Sequence, residues 1–133
     1  MDALKDLEVW KRACRLSVNL YRITSDCREY GFKDQITRAG LSIASNIAEG
    51  YERETSPLRI HFFKIAKGSC GEVWTQLKIG RAAGFIDQAT TRELEMEVKE
   101  ISRMLWGLIQ YYKKQQSNEL VPRNSYLIKW GIV

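Results

Sequence analysis

Residues 94–112 read LEMEVKEISRMLWGLIQYY, and in them Leu94, Val98, Ile101, Leu105, Leu108 and Tyr112 follow at alternating steps of four and three. Such a heptad seam belongs to a helix packed at a shallow angle against others in a bundle. Just upstream, Thr90 and Glu93 have capping-box spacing, in which each side chain satisfies a backbone donor of the other and starts the helix. Downstream the pattern fades into Lys113-Lys114-Gln115-Gln116-Ser117.

Three more stretches carry helical periodicity. The first runs from about Asp6, read as its N-cap, to Thr24. Leu7, Trp10, Cys14, Ser17, Val18 and Tyr21 share one face, and Val9, Ala13, Leu16 and Leu20 make a second apolar stripe. After a loop at Ser25–Gly31, the second helix spans about Lys33 to Glu52, with Ile36, Ala39, Gly40, Ile43, Ile47 and Gly50 on one side. Ser56 reads as the N-cap of the third helix, with Pro57 in its first turn, and Gly84 ends it. This helix has two apolar faces, one with Leu58, Phe62, Ile65, Val73 and Ile79, the other with Phe63, Ala66, Cys70, Trp74 and Leu77. A lone bundle buries one face per helix, so the surplus asks for a partner.

Long helices and short connections force sequential helices antiparallel. The expected fold is all-α, an antiparallel up-down-up-down four-helix bundle over residues 4–117. Pro122 is expected to stop the helix, leaving 118–133 as a tail. There Leu120-Val121-Pro122-Arg123 resembles the protease-cleavage linker of expression vectors, which would make part of the tail non-native.

The 133 residues suit one domain and one core, and 44% hydrophobic residues are enough to fill it. No apolar run is long enough to span a membrane, and Met1–Asp6 lacks a signal-peptide layout, so the expected place is the cytoplasm. The three cysteines Cys14, Cys27 and Cys70 are widely spaced, which disfavours a disulfide framework or zinc site. Cys14 and Cys70 lie on apolar faces and read as small core residues. His61 is the only histidine, so no di-iron ligand set exists, and no phosphate-binding glycine loop occurs. Gly68-Ser69-Cys70-Gly71 lies mid-helix and reads as packing glycines rather than a nucleophile turn. Glu93, Glu97 and Glu100 flank the heptad seam and read as solvated. The sequence therefore predicts no enzyme, no cofactor and no metal.

Polar residues interrupt the apolar pattern. Arg38, Ser42, Ser45, Asn46 and Glu49 form a stripe on the second helix, where serine and asparagine are poor helix formers. On the third, Glu72 falls among Leu58, Phe62 and Ile65. A buried lone carboxylate needs a cation or several donors. Arg38, Asn46, Glu49 and Glu72 are expected to form a buried or interfacial network, fixing register or subunit pairing. A ligand or catalytic site is the alternative.

Net charge is +5, which favours polyanions as partners. Lys11, Arg12, Arg15 and Arg22 make a cationic stripe on the first helix, and Lys64, Lys67 and Lys78 a second on the third. Such stripes suit phosphate backbones, read by charge or shape rather than by base. A solvated face with no partner explains them equally.

Three strings carry a resemblance: Asp6-Leu7-Glu8-Val9-Trp10, then Gln35-Ile36-Thr37-Arg38-Ala39 with Ser42-Ile43-Ala44-Ser45-Asn46-Ile47-Ala48-Glu49-Gly50, and Ala66-x-Gly68-Ser69-x-x-Glu72. Over roughly Leu4 to Gln116 the chain resembles the bacterial four-helix-bundle proteins encoded in intervening sequences of large-subunit ribosomal RNA genes. These are related to the accessory variability protein of diversity-generating retroelements. The resemblance implies a ring-shaped homopentamer, with a role beside structured RNA or a reverse transcriptase, and it brings no catalytic residues; the basic stripes admit structured RNA or DNA as partners. Two functions follow as expectations, a non-enzymatic oligomeric nucleic-acid-binding accessory factor or, alternatively, a protein–protein assembly scaffold.

Overall fold

The structure is a computed structural model that describes residues 1–129, with side chains described as far as Asn118. A 3-10 turn over Asp2–Asp6 leads into α1 (Glu8–Ile23), α2 (Tyr30–Tyr51), α3 (Ser56–Ala82) and α4 (Gln88–Lys129). The described residues contain no strand. α1 packs on α2, α2 on α3 and α3 on α4, while α4 returns to α1. Short connections at 24–29, 52–55 and 83–87 make each neighbour antiparallel, which is the expected four-helix bundle.

The helix starts differ from expectation by one to three residues, for local reasons. Leu7, not Asp6, precedes α1. Its N–H bonds the Leu4 carbonyl at 3.0 Å, so the 3-10 turn feeds the helix directly. Gly31 lies inside the first turn of α2 rather than in a loop. Thr55, not Ser56, caps α3, its hydroxyl accepting from the Leu58 N–H at 3.5 Å. α4 begins ahead of the expected Thr90/Glu93 box. Asp87 accepts from the Thr90 N–H and from the Thr90 hydroxyl, both at 2.8 Å, and these bonds hold its carboxyl below the usual range.

The end of α3 is as expected. Gly84 has φ +84°, its N–H bonds the Arg81 carbonyl at 3.1 Å, and the Phe85 N–H bonds that of Gly80 at 2.8 Å. These two bonds close a Schellman motif, whose left-handed residue glycine fills without a Cβ clash. At the other end of the chain, Pro122 does not stop α4, which runs on to Lys129. A proline removes one ladder bond and bends a helix without being bound to end it. Residues 130–133 of the expected apolar tail lie outside the described residues.

One stripe per helix fills the core. It is Val9, Ala13, Leu16 and Leu20 from α1, and Ile36, Ala39, Ile43 and Ile47 from α2. α3 supplies Ile60, Phe63, Ala66, Cys70, Val73 and Leu77, and α4 Leu94, Val98, Ile101, Leu105 and Ile109. The expected seam on α4 holds to Leu105 and then moves from Leu108 to Ile109, because a straight helix drifts about 20° per heptad. Val73 belongs with Phe63, not with Leu58. Cys70 is core, but Cys14 is only half-buried, on the outer side of α1.

Candidate functional site

The stripe of cations on α1 divides in the fold. Arg12 reaches across to α4, where its Nε and Nη2 each donate to a Glu97 carboxylate oxygen at 2.8 Å. Its Nη1 lies 3.9 Å from the Met104 sulfur. This fork is a half-buried clamp between the first and last helices, and fork geometry makes it stronger than a rim contact. Glu97 was expected to be solvated. Heptad spacing places it beside the seam but does not show that a guanidinium arrives from another helix.

Arg12 holds the Glu97 carboxyl below the usual carboxylate range, first through the hydrogen bond and then through its charge. The folded value is depressed below the ordinary 4.5. The pair therefore contributes fully above that value and is lost as pH falls through the depressed one. Glu97→Gln is expected to cost about 1 kcal/mol at neutral pH. The difference between wild type and variant should narrow at an acid pH below the depressed value, where both side chains are neutral. Urea midpoints at the two pH values check this.

The other expected cations lie on the outside of the bundle. Lys11 is half-buried, and Arg15 and Arg22 are exposed. Arg15 and Arg22 border a shallow hollow of about 280 Å³ with Cys14, Val18 and Asn19. Glu8 offers Arg15 one exposed contact at 3.5 Å. On α3, Lys64 is exposed and Lys67 half-buried, and neither has an ion pair among the described residues. Lys78 pairs with Glu95 of α4 at 3.1 Å and stands 5.1 Å from the centre of the Trp74 ring. Trp74, read from the sequence as part of an apolar face, is 38% exposed. A tryptophan among lysines on two adjacent helices was the signal available in the sequence.

The expected polar network separates within the protomer. Arg38 pairs with Asp34 one turn earlier at 3.1 Å, and Glu49 pairs with Arg53 one turn later. Glu72 is exposed, because the side of α3 that carries it is the outer one, where a carboxylate keeps its water. Only Asn46 enters a link between helices, and that link is partly buried. Its amide donates to the Ser42 carbonyl at 2.8 Å and to the Ser42 hydroxyl at 3.0 Å. The Ser69 hydroxyl on α3 donates to that same Ser42 oxygen at 2.8 Å. Two of these poor helix formers, Ser42 and Asn46, thus join a hydrogen-bonded link from α2 to Ser69 of α3.

Among the described residues, no three His, Cys, Asp or Glu side chains gather to hold a metal. No described helix is long and apolar enough to cross a membrane. Burial pushes the Cys70 thiol up to about 12, so it stays protonated at neutral pH.

Comparison with known proteins agrees with this fold. A crystal structure of a protein of unknown function from the S23 ribosomal protein family of Bacteroides thetaiotaomicron superposes with a TM-score of 0.71. It is 24% identical and covers 76% of this chain and 97% of its own. No curated protein matches the chain. The family model for the 23S rRNA-intervening sequence protein matches residues 5–107, from the 3-10 turn to the middle of α4. With the helices in the expected order and the three strings of the resemblance inside the matched region, the chain belongs to the 23S rRNA-intervening sequence protein family.

Proposed function

We propose that the protein is a non-enzymatic homo-oligomer that binds structured RNA or DNA through its basic outer surface, as an accessory factor. The observation that carries this reading is the set of cations left on the outside once Arg12 and Lys78 are engaged. Lys11, Arg15 and Arg22 on α1 and Lys64 and Lys67 on α3 remain there, in a chain of net charge +5. Phosphates meeting such side chains release counterions, which gives affinity without base reading. The five-membered ring comes from the family resemblance, and it would multiply the charge offered to one polyanion. An assembly scaffold with an incidental basic surface is the second reading, favoured by the exposed apolar side of α3.

Charge reversal separates the two. The combined variant Arg15→Glu, Arg22→Glu and Lys64→Glu is expected to weaken binding to a structured RNA about tenfold or more at low salt. Its fold should be unchanged, since all three side chains are exposed. Arg12 is left intact because reversing it would break the Glu97 clamp. Undiminished affinity in a folded variant would remove these side chains as the interface, and a wild type that binds no RNA would favour the scaffold.

A further inference from the structure

Between α3 and α4, on the outside of the bundle, lies a cleft of about 160 Å³ lined by Cys70, Gly71, Trp74, Val98, Lys99 and Ser102. Its floor is apolar, with Cys70 and Val98 belonging to the core. One wall is Trp74. The space beside Gly71 is open, because a Cβ built there would meet nothing within 4 Å. The Lys78 ammonium lies 5.1 Å from the centre of the Trp74 ring and pairs with Glu95, which steadies the indole.

Cations border the cleft on both helices. Lys99 is an exposed lining residue, and Lys67 stands one turn before Gly71. Neither has an ion pair among the described residues. One turn beyond Ser102 on α4, Trp106 is 56% exposed. An aromatic side chain lining an apolar cleft, with unneutralised ammonium groups beside it, suits a flat ring carried on an anionic chain. An apolar peptide side chain would use the slot but not the lysines.

We propose that this cleft takes one unpaired base of a structured RNA, stacked on the Trp74 indole, with the neighbouring phosphates on Lys67 and Lys99. This rests on the nucleic-acid reading above and adds a site and a preference to it. A paired base cannot enter the cleft, because its faces are occupied within the helix, whereas bulged and looped bases are free to splay out.

The test uses the full chain and two RNA hairpins. One carries a single bulged 2-aminopurine, and the other has the same stem without the bulge. The wild type is expected to bind the bulged hairpin about tenfold more tightly than the plain one, and the fluorescence of the 2-aminopurine should fall on binding. Trp74→Leu should bring the two affinities together and abolish the fluorescence change. Trp74→Phe, which keeps a stacking face, should restore most of both, and Lys99→Glu should weaken the bulged hairpin more than the plain one. Equal wild-type binding of the two hairpins, or a Trp74→Leu variant that keeps the preference, would overturn the cleft and leave the broader reading standing. No binding of either hairpin at low salt would overturn both.

Discussion

Gly50→Val is expected to lower the unfolding free energy by about 3 kcal/mol, the upper end of overpacking costs in a filled core. A Cβ at Gly50 would lie 2.8 Å and 3.0 Å from two ring carbons of Phe63 and 3.1 Å from the Arg59 carbonyl oxygen. None of these can move cheaply. Phe63 is fully buried and packs against Tyr112 with ring centres 5.8 Å apart, and the carbonyl is part of α3. Gly50→Ala should cost less, because alanine regains about 1 kcal/mol of helix propensity. Phe63→Leu placed in the Gly50→Val background should recover part of the loss. Urea unfolding of the four proteins of that cycle checks the claim. Strictly additive effects would show that the glycine and the ring do not interact. The glycine that ends the Ser42–Gly50 string is thus there to let α2 close on α3.

Ile65→Asp is expected to reduce the assembly to single protomers without unfolding them. The outer side of α3 exposes Leu58 by 48%, Ile65 by 39% and Ile79 by 54%, with Phe62 half-buried between the first two. These residues recur along one helix, so they form a stripe rather than isolated surface positions. If a second copy covers the stripe, as proposed, a carboxylate at Ile65 would be buried without a partner and would break the contact. In the separated protomer the same carboxylate faces water and costs little. Sedimentation should give one protomer mass for the variant and a multiple of it for the wild type, with similar helix content by circular dichroism. An unchanged mass in the variant, or a wild type that sediments as a single chain, would contradict the proposed assembly.

The bundle was legible because periodicity records burial. Ile36, Ala39, Ile43 and Ile47 share a face in the sequence and share the core in the fold. α1 and α3 were harder, since each carries apolar residues on two sides and periodicity does not say which side has neighbours. The pattern on α3 grouped Val73 with Leu58, and only packing separates them. Caps shifted by one to three residues because Thr55, Ser56, Asp87 and Thr90 are all competent, and local backbone geometry chooses among them. The polar set does not meet within the protomer, for a related reason. Glu72 reads as buried only if its side of α3 faces inward, and it does not. Partners from distant helices left no local trace, so Arg12 read as one cation among four and Glu97 as solvated. The cleft beside Trp74 was hidden in the same way, because half of it comes from α4.

The most direct measurement is the equilibrium binding of the wild-type chain to a structured RNA at two salt concentrations. Cations on α1 and α3 that meet about four phosphates should make log affinity fall with log salt at a slope of about −3 to −4. That is a loss of roughly two orders of magnitude between 50 and 200 mM salt. No detectable binding at the lower concentration, or an affinity indifferent to salt, would contradict a basic surface built for nucleic acid.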